Sequence, residues 1–144
     1  MNVEMLKQHL IRDEGYREYV YPDSEGYWTI GIGHLVDSRL GGKLDPDVID
    51  HQFKNDIERV EADLQTFSWW SQVSPIRQVA LANMRFQLGP ERFRGFRKMI
   101  QAIPKAIETG DWDEVGSEAK DSIWYTQTTK RAKRIVQMLL TGLV

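Results

Sequence analysis

Apolar residues at Val3, Leu6, Leu10 and Ile11 recur every three or four positions and predict a short amphipathic helix over residues 3–13, stopped before Gly15. Over residues 16–34 the pattern changes to Tyr, Trp, Ile and Val with turn signals at Pro22-Asp23 and Glu25-Gly26, which predicts a β-hairpin. The run from Trp28 to Gly33 alternates from Ile30 onward, as a half-buried strand does, and Gly41-Gly42 marks a loop or tight turn. Asp45-Pro46 pairs a capping residue with proline at the first helical position. Val48, Ile49, Phe53, Ile57, Val60 and Leu64 then carry a helix to about Thr66. At 1.5 Å per residue that helix is roughly 30 Å long, enough to connect two lobes. Ser74-Pro75 starts another, with Ile76, Val79, Ala80, Met84 and Leu88 as the buried stripe of a central helix, stopped by Gly89-Pro90. Shorter helices are predicted near 96–109, 112–121 and 129–141, separated by Gly110-Asp111 and by the segment Trp124–Thr129. The fold class is α+β: a helix and a small antiparallel sheet, then an all-helical remainder.

At 144 residues, 41% of them apolar, the chain can build a core without staples. It has no cysteine, which rules out a disulfide framework and a thiolate metal site. Glu4, Lys7, Arg12 and Asp13 leave no apolar run of signal-peptide length at the N-terminus, so the expectation is a product made in the cytoplasm. The apolar tail from Ile135 to Val144 is too short to span a bilayer. His9, His34 and His51 occur singly, without ligand spacing, so no metal and no other cofactor is expected. Net charge is −2, with residues 1–45 at −3 (five basic, eight acidic) and residues 94–144 at +3 (nine basic, six acidic). A nucleic-acid-binding protein would carry a basic domain, and this chain does not.

Candidate chemistry concentrates in the first quarter. Glu14 closes the first helix, Asp23 follows after eight intervening residues, and Thr29 after five more. Two carboxylates on different elements near a hydroxyl, flanked by aromatic residues, are what glycoside hydrolysis requires. Glu14, at the end of a helix and on a different element from Asp23, is the candidate for the acid role. Asp23 sits in a polar turn, and Thr29 can hold a water by hydrogen bonding.

The string Asp13-Glu14-Gly15, Asp23, Glu25-Gly26-Tyr27 and Thr29-Ile30-Gly31-Ile32-Gly33-His34 resembles the bacteriophage lysozymes (endolysins) of the T-even type, glycoside hydrolase family 24. The resemblance resumes at Leu44–Ile57, Ala80–Gly89, Trp112-Asp113-Glu114, Trp124–Thr128 and Arg131–Arg134, and so covers nearly the whole chain. It implies a lysozyme-like fold: an N-terminal lobe over about 13–60, a connecting helix over about 46–66, and a helical lobe over about 67–144 that includes the helix 3–13. It also implies a monomeric muramidase that cleaves peptidoglycan between N-acetylmuramic acid and N-acetylglucosamine in the periplasm and causes host lysis. Membrane passage would depend on a separate holin rather than on stable insertion. By position Glu14 is the general acid, and Asp23 with Thr29 positions water on an inverting route. Leu35, Phe86 and Gln87 match substrate contacts, Arg131 matches an arginine that pairs with the catalytic glutamate, and His34 with Asp56 matches a structural pair.

Several departures alter the expectation. His34 and Leu44 are only ten positions apart, which shortens the sheet-bearing lobe, and the stretch from Phe96 to Trp112 is longer than the family's. The contact near Met99 is therefore not carried over, nor one at Glu118. Trp69-Trp70 reads as a buried anchor at an interhelical turn rather than a sugar platform. The rival readings are a lytic transglycosylase, which needs neither Asp23 nor Thr29, and a wall-binding or toxin domain on the same fold.

Overall fold

A computed structural model describes residues 3–36 and 44–143; the turn expected at Gly41-Gly42 lies outside the described residues. The chain divides into two compact units, Met1–His51 and Gln52–Val144.

The first unit opens with α1 (Val3–Glu14), which ends because Gly15 takes φ +83° and returns its N–H to the Ile11 carbonyl at 2.9 Å. Three antiparallel strands follow in spatial order β1 (Arg17–Pro22), β2 (Trp28–Gly31) and β3 (His34–Leu35). Tyr21 pairs with Thr29 and Pro22 with Trp28, and the ladder is irregular between Arg17 and Tyr21. Thr29 faces Leu35 across the second ladder and Ile30 faces His34, so β2 is the central strand. The strand expected to reach Gly33 stops at Gly31, where Gly31 and Gly33 at φ +66° and +62° turn the chain into β3. Among the described residues of this unit only Thr29 is buried. The stripe read as core-facing in the sequence is exposed at Val3, Leu6 and Leu10 of α1 and at Val48, Ile49 and Phe53 of the next helix.

That helix, α2 (Pro46–Leu64), runs from the first unit into the second, where Val60 and Leu64 are buried. A 3-10 turn at Trp70–Gln72 leads to α3 (Pro75–Arg94). Around α3 lie α4 (Arg97–Thr109), α5 (Asp113–Lys120), α6 (Ile123–Gln127) and α7 (Thr129–Thr141). Ala80, Leu81 and Met84 of α3 are buried, whereas Val79, counted in the sequence stripe, is 58% exposed. Gly89 has non-helical angles (φ 77°, ψ 168°), which is the stop read from Gly89-Pro90, but Pro90 starts a further turn that carries Phe93 into the core. Trp69 is buried and stacks on Phe67 at 4.8 Å, an interhelical anchor as expected. The Trp124–Thr129 separator is itself mostly helix. Ser122 Oγ accepts the Tyr125 N–H at 3.2 Å and donates to the Ala119 carbonyl at 2.7 Å, capping α6.

Two contacts fasten this unit. Arg77 donates to the carbonyls of Leu139 (2.8 Å) and Leu140 (3.2 Å) at the end of α7, with its guanidinium 4.5 Å above the Trp112 ring. Asp63 near the end of α2 accepts from Arg85 Nε at 2.8 Å and from Arg94, so one carboxylate ties α2 to both sides of the Gly89 break. Burial alone would raise the Asp63 carboxyl, but the hydrogen bonds and charges of Arg85 and Arg94 outweigh it and hold the carboxyl below its ordinary value.

Candidate active site

Glu14 is the last residue of α1, and the left-handed Gly15 turns the chain away immediately behind it. Its side chain lies over the turn between β2 and β3. A Cβ built on Gly33 would stand 2.9 Å from Glu14 Cγ and 3.0 Å from Cβ and Oε2. Any residue but glycine at 33 would therefore both strain the backbone and displace the carboxylate.

Asp23 occupies the turn between β1 and β2. Its Oδ1 accepts the N–H groups of Glu25 (2.9 Å) and Tyr27 (2.8 Å), and its own N–H donates to the Tyr27 carbonyl at 2.8 Å. Gly26, at φ +87°, donates to the Asp23 carbonyl at 3.1 Å and closes the turn. This Asx-type arrangement commits one carboxylate oxygen and leaves Oδ2 without a partner among the described residues. Thr29, 5% exposed, donates its hydroxyl to the Tyr27 carbonyl at 3.2 Å. The backbone of Tyr27 thus holds both Asp23 and Thr29, a part that a search for polar side chains could not find.

The structure brings Asp23 and Thr29 to one end of β2 and Glu14 to the other. Leu35 is exposed in β3, opposite Thr29. His34 is also exposed in β3, while Asp56 lies on α2 in the second unit, 3.5 Å from Arg59.

In the second unit Phe86 is exposed, not core, and Gln87 Oε1 accepts the Trp124 indole N–H at 3.0 Å. Trp124 meets Phe96 edge-on at 6.0 Å. Gln87, Phe96 and Trp124 line a groove of about 970 Å³. Arg131 donates from Nε to Asn83 Oδ1 at 2.8 Å and from a terminal nitrogen to the Asn83 carbonyl at 3.3 Å.

The family model for phage lysozyme matches residues 12–140, from the residues just before Glu14 to α7. The chain belongs to the phage lysozyme family. Among its relatives, a probable T4-type lysozyme 2 of Dictyostelium discoideum is 32% identical over 167 positions, covering 97% of this chain and 96% of that protein. The pre-baseplate central spike protein Gp5 of Enterobacteria phage T4 is 33% identical across 95% of this chain, which spans only 28% of the spike protein's length. The peptidoglycan hydrolase gp36 of Pseudomonas phage phiKMV is 29% identical across 92% of this chain, which spans 15% of that protein. The matched region thus makes up nearly all of one relative and a small part of two much longer ones.

Proposed function

We propose that this protein is a muramidase that hydrolyses the β-1,4 bond between N-acetylmuramic acid and N-acetylglucosamine in bacterial peptidoglycan, with inversion at the anomeric carbon. Family membership and the names of the T4-type lysozyme and peptidoglycan hydrolase relatives support the substrate class. The observation that carries the mechanism is the holding of Asp23 and Thr29 by the Tyr27 backbone, with Asp23 Oδ2 without a partner among the described residues. Glu14 donates its proton to the glycosidic oxygen as the bond breaks. A water held by Thr29 Oγ1 and Asp23 Oδ2 gives a proton to Asp23 and attacks the opposite face of the sugar. An inverting pair needs about 6.5–9.5 Å between its carboxyl groups to admit that water.

Leu35, Phe86 and Gln87 are the candidate glycan contacts in this reading, and Arg131, His34 and Asp56 are supporting residues that take no direct part in the chemistry. The protein acts as a monomeric endolysin in the periplasm, reached with the help of a holin.

The test is clearing of chloroform-treated Gram-negative cells by the parent and by Glu14→Gln, with proton NMR of the first product. The amide cannot donate the proton, so clearing should fall by at least about a hundredfold in a folded protein. The first product should be the α-anomer. Clearing by Glu14→Gln within tenfold of the parent rate rejects the acid assignment, and an initial β-product rejects inversion. Anhydromuramic ends would mark a transglycosylase, against which the retained Asp23 and buried Thr29 count.

A further inference from the structure

Among the described residues of the first unit only Thr29 is buried, and the hydrogen bond that orients it is long. Hydroxyl donors ordinarily reach an oxygen at about 2.5–3.0 Å, and the Thr29 hydroxyl stands 3.2 Å from the Tyr27 carbonyl. So weak a bond does not by itself exclude the other staggered wells of the side chain, which would put the methyl where the hydroxyl now lies. A neighbour on the same face of the sheet can exclude them. Residues paired directly across adjacent strands share a face, with Cβ atoms about 4.5–5.5 Å apart. Thr29 has two such partners, Tyr21 on β1 and Leu35 on β3. Leu35 is 45% exposed and closes a strand of two residues, whereas Tyr21 is half-buried in a strand of six. Tyr21 is the firmer wall. Its ring is held in turn by the Arg17 guanidinium, which lies over it at 4.3 Å from the centroid. Arg17 pairs across β2 with Gly31, so Arg17, Tyr21 and Thr29 stand on one face, and Gly31 has no side chain to come between cation and ring. Among the described residues Arg17 forms no ion pair that would draw its charge away from the ring.

We propose that Tyr21 is a positioning residue for the attacking water: clamped by Arg17, its ring packs against Thr29 and keeps the hydroxyl in the rotamer that the reaction uses. A hydroxyl that donates to the Tyr27 carbonyl turns only lone pairs outward, so it accepts one proton of the water while Asp23 Oδ2 accepts the other. The lone pairs of the water are then left for the anomeric carbon. Rotation of Thr29 by one well replaces its acceptor with a methyl and leaves the water on Asp23 alone. The place of the water in the reaction rests on the muramidase reading given above, whereas the clamp itself does not.

The experiment has two arms, both on the full chain. Without substrate, three-bond NMR couplings to the Thr29 methyl report its rotamer. The parent should show a single rotamer and Tyr21→Ala an average over several, with Tyr21→Phe like the parent because the ring and not its hydroxyl forms the wall. With soluble uncross-linked peptidoglycan strands, Tyr21→Ala should lower kcat at least about tenfold, as a misplaced reactant does, while KM stays within about twofold of the parent. Tyr21→Phe should keep kcat within about twofold. Arg17→Met should lower kcat by about twofold to fivefold, the range of an exposed cation–π contact, and should add nothing in the Tyr21→Ala background. Arg17 is exposed, so Arg17→Met carries both arms if Tyr21→Ala does not fold. A Thr29 rotamer that is averaged in the parent or single in Tyr21→Ala overturns the proposal, as does Arg17→Met indistinguishable from the parent in both arms. So does an unchanged kcat in Tyr21→Ala with a raised KM, which would make Tyr21 a sugar contact, or a loss in Tyr21→Phe equal to that in Tyr21→Ala, which would make the hydroxyl the acting group. The expected rotamers with no hydrolysis by the parent sink the muramidase reading alone.

Discussion

Glycine at position 33 and the backbone of Tyr27 hold the side chains proposed to react as much as those side chains hold themselves. Gly33→Ala would place a methyl within 2.9–3.0 Å of three Glu14 atoms on a backbone at φ +62°. The backbone strain should cost on the order of 1 kcal/mol, a few degrees of melting temperature. A misplacement of about 1 Å at a reacting group costs up to about a hundredfold in rate. Gly33→Ala should therefore lose at least about tenfold in wall clearing while remaining folded. A variant that melts much lower but clears at the parent rate per folded molecule would contradict this. By the same reasoning the Tyr27 ring, 43% exposed, is expendable where its backbone is not. Tyr27→Ala should keep folded-state activity within about threefold, the small effect usual for surface substitutions, whereas a one-residue insertion between Asp23 and Tyr27 should abolish it.

Helices and strands were legible where local chemistry decides them and obscure where packing does. Asp45-Pro46, Ser74-Pro75, Gly15 and Gly110 act within a turn of themselves, and the elements they bound begin or end within a residue or two of expectation. The α6 helix was missed because Ser122 caps a stretch rich in bulky aromatic and β-branched residues, whose pattern reads as a connector. The tie between Gln87 and Trp124, 37 positions apart, and the meeting of Asp63 with Arg85 and Arg94 exist only once α2, α3 and α6 are in place. For Asp63 the consequence can be measured. Its folded pKa is depressed, so its contribution is complete above the unfolded carboxylate value and is lost as pH falls through the lower folded value. Asp63→Asn should lower stability by about 2 kcal/mol at neutral pH, the scale of hydrogen bonds to a charged group. The gap between variant and parent should close in strong acid. A gap that stays constant from pH 7 to pH 2, followed by thermal melts, would show that Asp63 acts through shape rather than charge.

The twenty buried apolar residues that form the core, among those described, all lie between Val60 and Leu139. Every residue proposed to act on the glycosidic bond lies before Gly31, in a unit where only Thr29 is buried among the described residues. Regions with few buried apolar contacts open at lower free energy than the global transition. Heating should therefore abolish wall clearing several degrees below the midpoint of the far-ultraviolet helical signal, and amide exchange should be faster in β1–β3 than in α3. Coincident curves for activity and helicity would refute this. If the two do separate, the enzyme's working life and its melting point are different properties under different residues' control. A search for durable variants scored by residual lysis would gather changes around the small sheet, one scored by melting temperature would gather them around α3, and neither collection would substitute for the other.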